Sequence, residues 1–92
     1  MTTPSIEEVA RRVEAAKRSD NALDVLIEIA LFAPCKAFSS ARANFAGTKV
    51  IYTTPEGDQH TAWAWDWTAG KNRAATLAKL RAHLTAGSTH DR

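Results

Sequence analysis

The side chains in this sequence best suited to chemistry are aromatic and charged, and their spacing points to binding rather than catalysis. Trp63, Trp65 and Trp67 alternate with Ala62, Ala64 and Asp66, so in a strand the three indoles share one side. Such a row is a large apolar payload. It serves either as core, with the small alanine side letting a helix approach closely, or as an exposed contact surface. A stacking platform for single-stranded nucleic acid interleaves cations with its aromatics, whereas the residues between these indoles are Ala64 and Asp66. Gly70-Lys71 does not make a phosphate loop, because Trp65 stands where the first glycine is needed and Asn72 where Ser or Thr is needed. Lys71 and Arg73 nevertheless sit near an expected helix start, where cations oppose the macrodipole. That placement suits an anion between them and the helix, or else two side chains that simply extend into solvent.

Other chemistry finds little support. His60, His83 and His90 lack metal-ligand spacing with one another or with Cys35, so neither metal nor cofactor is expected. Cys35 follows the helix-ending Pro34 and reads as structural. No paired carboxylates, glycine-rich cradle or nucleophile–histidine–acid order stands out. Asp20, Asp24 and Glu28 form an acidic row at i, i+4 spacing. Like charges at that spacing are mildly destabilising, so the row is a solvated face or a patch that meets cations.

Charge is distributed unevenly. The net charge is +2, yet residues 71–92 carry Lys71, Arg73, Lys79, Arg81 and Arg92 against Asp91 alone. Such a basic segment binds an anionic partner or neutralises the acidic N-terminal half. The expected partner contacts are therefore Lys71, Arg73, Lys79 and Arg81, with Asp24 and Glu28 as a second patch.

The 92 residues, 45% hydrophobic and 24% charged, fit one small globular domain. The longest apolar run, residues 25–33, is interrupted by Glu28 and is too short to span a bilayer. The first residues lack a basic and apolar leader pattern, and the single cysteine suits a reducing compartment. A cytoplasmic location and no membrane partner are expected.

The elements that must position these residues read as α+β in the order α-α-β-β-α. Helix 1 is expected over residues 4–18, started by Thr3-Pro4 or by a Ser5/Glu8 capping box. Its apolar stripe is Ile6, Val9, Ala10, Val13 and Ala16, with Glu7–Arg11, Glu8–Arg12 and Glu14–Arg18 as supporting pairs. Helix 2 is expected over residues 21–33; it is apolar on most sides and so central. Residues 35–47 hold either a short strand or an ordered loop, with Phe38 and Phe45 expected to pack down. Residues 48–54 and 59–67 form a hairpin around Pro55-Glu56-Gly57-Asp58, where proline presets one corner and glycine accepts the left-handed one. Helix 3 is expected over residues 71–86, capped by Asn72 and stopped by Gly87, with a frayed tail over 87–92. Two strands are marginal alone, so a third strand or a homodimer joining two sheets would complete the fold.

Val13-Glu14-Ala15-Ala16, a polar break over residues 17–21, and then Ala22-Leu23-Asp24-Val25-Leu26-Ile27-Glu28-Ile29-Ala30-Leu31 resemble the start of small bacteriophage and prophage proteins with a phage ABA sandwich domain. The resemblance covers residues 13–33 closely and the helix over residues 73–84 loosely. It departs in the middle, where the family's Tyr-Thr-x-Ser-Leu-Asp-Ala-Ala stretch has no counterpart beyond Trp67-Thr68-Ala69. It implies helix–sheet–helix layering and a phage or mobile-element origin, and it carries no general activity. By analogy, the expected function is non-enzymatic binding to a host protein or nucleoprotein complex, as an anti-CRISPR-like inhibitor of host defence. The alternative is a nucleic-acid-binding accessory protein that uses the basic C-terminal helix.

Overall fold

The structure is a computed structural model that describes residues 4–90, with side chains through residue 84. The chain is α+β, in the order α1 (Ile6–Ala15), α2 (Asn21–Leu31), β1 (Ser40–Ala43), β2 (Lys49–Thr53), β3 (Gln59–Trp63) and α3 (Arg73–His90). Among the described residues no helix is long and apolar enough to cross a membrane.

Helix α1 starts at Ser5, whose side chain accepts from the Glu8 N–H at 3.1 Å. Half of the capping box is therefore made, while the Glu8 carboxylate turns to Arg11 and Arg12. The helix ends at Ala15 rather than Arg18 because Ala16 is extended. Glu14 pairs with Arg81 of α3 instead of Arg18. Asp20 caps α2 by accepting from the Leu23 N–H. That helix stops at Leu31, two residues short of the expectation: Phe32 is already extended, and Pro34 disfavours the helical conformation at Ala33.

Residues 35–47 contain the strand β1. It pairs antiparallel with β2, Ser40 opposite Thr53 and Ala43 opposite Val50. Asn44 shapes the turn between them by accepting from the N–H groups of Thr48 and Lys49 at 2.8 and 3.1 Å, with Gly47 at φ 71°. The next turn follows expectation: Gly57 takes φ 99°, and Thr54 Oγ1 accepts from the Asp58 N–H. Strand β3 ends at Trp63 instead of Trp67, because Lys49 opposite Trp63 is the first residue of β2 and nothing remains for residues 64–67 to pair with. Helix α3 begins at Arg73 and continues through Gly87 to His90. A single helical glycine costs only about 1 kcal/mol, so it need not end a helix. The expected fraying at residues 91–92 lies outside the described residues.

Helix α2 is central. One side packs with α1 and α3 in a cluster of Val9, Ala10, Val13, Leu23, Ile27 and Leu80. Its other side packs on the sheet through Val25, Val50 and Ala64, with Ala41, Ala43 and Tyr52 beside them. The order of layers is thus sheet, α2, then α1 with α3, not the helix–sheet–helix order that the phage-protein resemblance implies. The strand faces also run opposite to the core expectation for the indoles. Ala64 is buried toward α2, while Trp63 and Trp65 are 68% and 56% exposed. Close packing of α2 on the sheet favours the small side of the ribbon, and Trp63 and Trp65 are left outside. Trp67, beyond the end of β3, is half-buried and packs against the helical cluster as the core expectation has it.

Candidate functional site

The acidic row of α2 is not a surface patch. Asp24 is 4% exposed and accepts two bonds from Thr68 at 2.8 Å, from its N–H and from its hydroxyl. Thr68 is itself fully buried, and its hydroxyl oxygen also accepts from the Asp20 N–H at 2.7 Å. Glu28, one turn further along, is half-buried between the sheet and the segment after β3. One of its oxygens accepts from the Trp67 indole N–H at 2.6 Å, and the other accepts from the Tyr52 hydroxyl. Burial, then the bond and charge of Glu28, raise the Tyr52 phenol above its ordinary range. The expectation that Asp24 and Glu28 contact a partner is corrected: both are internal acceptors that tie α2 to the sheet and to the approach to α3. Neutral donors, not cations, satisfy these two carboxylates.

The basic residues do not converge either. Lys71 is exposed in the turn before α3. Arg73 is half-buried and donates to the Thr68 carbonyl at 2.8 Å, so it serves the junction and is not a free contact. Arg81 meets Glu14 on α1. Lys79, two residues before Arg81, faces about 200° away around the helix and lines a cleft with His83, Phe32 and Tyr52. The expected patch of four cations is dispersed over four environments. Asn72 directly precedes α3 and its carbonyl accepts from the Thr76 N–H, but the expected side-chain cap is not among the bonds it makes to the described residues. Its side-chain amide donates to the Asp66 carbonyl.

The structure gathers a different surface. The side of the sheet away from α2 carries Arg42, Ile51 and Thr61 abreast, with Lys49 and Trp63 paired beside them. The Lys49 ammonium lies 4.6 Å from the centre of the Trp63 ring, a cation–π contact worth roughly 0.5–1 kcal/mol when exposed. No Asp or Glu lies on this side within the strands. Phe45, at the tip of the β1–β2 turn, is fully exposed, which corrects the expectation that it packs down. Phe38 does pack, 5.0 Å from Tyr52 between ring centres. Trp65 stands edge-on to Trp67 at 5.0 Å. Among the described residues the large exposed apolar side chains are Phe45, Trp63 and Trp65. The period-two alternation placed Trp63 on a face. The cations around it come from neighbouring strands, where reading along one strand does not find them.

Among the described residues no cluster of three or more His, Cys, Asp or Glu is placed to hold a metal ion. Comparison with protein-family models, with curated proteins and with solved structures finds no match to this chain.

Proposed function

We propose that the protein acts by binding another protein, without catalysis, and that the uncovered sheet face is the surface it presents. The observation that carries this reading is Trp63, 68% exposed on a face that also holds Arg42 and Lys49 and adjoins Phe45. Tryptophan and arginine are the side chains most often found as interface anchors. A face with cations and no acid favours an acidic partner surface. The finer reading is a phage or mobile-element accessory protein that inhibits a host defence complex in the host cytoplasm. It rests on the likeness of residues 13–33 to phage proteins. The test is capture of a host partner by the tagged full chain, compared with the Trp63→Ser/Phe45→Ser double variant. Capture is expected to fail in the variant while its circular dichroism stays native. Undiminished capture removes the sheet face, and loss on Lys71→Glu instead returns the contact to the start of α3.

A second reading has one observation in its favour. Trp63 has Lys49 against it and Arg42 on the same face, as a base-stacking surface requires. A nucleic-acid-binding role would therefore use the sheet and not the dispersed cations of α3. Single-stranded oligonucleotides should then quench tryptophan emission, with affinity falling steeply as salt rises. Absence of quenching at low salt eliminates this reading.

A further inference from the structure

We propose that the cleft between the C-terminal half of α2, Tyr52 and α3 is a binding site for a small organic anion with an apolar, ring-sized body. The cleft holds about 530 Å³, within the range of small-molecule sites. Its lining includes Leu31, Phe32, Tyr52, Trp67 and Ala82, together with Glu28. All of these residues except exposed Ala82 are only half-buried, so apolar surface stands open there.

The site is preformed. The Tyr52 hydroxyl and the Trp67 indole N–H are both held by the Glu28 carboxylate, which fixes the two rings and uses both acid oxygens. Phe32 lies 6.1 Å from Tyr52 between ring centres and adds a further aromatic ring to the lining. A rigid aromatic wall orders little on binding, which lowers the entropic cost of capture.

The charge on the rim selects the ligand. Lys79 and His83 line the cleft from the same side of α3, one helical turn apart. Both are exposed, and neither has an ionic or hydrogen-bonded partner among the described residues. Lys79 supplies a fixed positive charge and His83 an N–H donor. Together they suit the oxygens of one carboxylate or sulfonate, with the ligand's rings lying against Trp67 and Phe32. Glu28 bears a charge of the same sign, so the head group belongs on the α3 side of the cleft, beside Lys79 and His83 and away from the carboxylate.

The test uses two fluorescent probes of the same shape on the full chain: the anionic 8-anilinonaphthalene-1-sulfonate and the neutral N-phenyl-1-naphthylamine. The expected result is one sulfonate dye bound per chain. Lys79→Glu should weaken the sulfonate about tenfold, the loss of one charge-assisted bond, and leave the neutral dye unchanged. Ala82→Trp fills the cleft from an exposed helix position and should displace both dyes, with circular dichroism confirming the fold of each variant. Equal sulfonate affinity in Lys79→Glu overturns the proposal. So does dye binding that survives Ala82→Trp but is lost in Trp63→Ser, since the dye would then lie on the sheet face.

Discussion

Tyr52 sits where burial and a carboxylate act in the same direction. Loss of contact with water and the bond to Glu28 both keep the proton on its phenol. It is the chain's one tyrosine, so tyrosinate absorbance reports it alone. The expected midpoint lies above the ordinary value of about 10. Because the folded value is the raised one, its contribution to stability is whole below the unfolded-state value near pH 10 and is lost as pH rises through the folded value. Glu28→Gln should lower the midpoint part of the way, since burial is the larger cause and remains. A wild-type midpoint at the ordinary value would contradict the Tyr52–Glu28 contact. Thr68 poses a separate test. Its hydroxyl accepts from Asp20 and donates to Asp24, and Thr68→Val keeps the shape while removing both bonds. A loss of about 2 kcal/mol is expected in urea unfolding, the size of one bond to a buried carboxylate plus a donor left bare. A change under about 0.5 kcal/mol would place this threonine among ordinary surface positions.

At the level of elements, α1 depends on acid in a predictable direction. Arg11 and Arg12 hold the Glu8 carboxyl below its usual range, through hydrogen bonds first and charge second. A lowered folded value gives stability that is present above the unfolded carboxyl value and lost as pH falls through the folded one. Glu8→Gln should therefore flatten the acid limb of the stability curve, measured as the midpoint of thermal unfolding between neutral and acidic pH; an unchanged limb would show that these exposed pairs contribute nothing. The stripe of Ile6, Val9, Ala10 and Val13 made α1 legible in the sequence, as Pro55 and Gly57 did for the hairpin. Boundaries were less legible, because they depend on partners. Strand β3 stops at Trp63 only because β2 begins at Lys49. The alternation of Trp63 with Ala62 and Ala64 shows two faces but not which is inside; close packing with Val25 of α2 decides that. The acidic row was visible as an anomaly at i, i+4. The donors to Asp24 and Glu28 lie 44 residues away for Thr68 and 24 for Tyr52, so nothing local reveals that these two carboxylates face inward while Asp20 stays exposed.

For the whole molecule, the deciding fact is that α2 belongs to two cores. Ile27 is fully buried in the cluster with α1 and α3, and Val25, on the other side of the helix, is 1% exposed in the cluster with the sheet. Asp24 and Glu28 add fixed bonds from the same helix to Thr68 and Tyr52. Neither cluster keeps its packing once α2 leaves, so the helical and sheet layers should unfold together. A domain of this length has roughly 5–14 kcal/mol of stability. Ile27→Ala removes about 2–5 kcal/mol of it and, although it touches only the helical cluster, should lower the transition of the sheet equally. The measurement is urea unfolding followed by far-ultraviolet circular dichroism, which sees the helices, and by tryptophan emission, which sees the segment around β3. Coincident curves in wild type, shifted together in Ile27→Ala, are expected of a two-state domain. Curves that separate would mean that the ribbon stands without α2, and the open face that carries Trp63 would then be an independent platform.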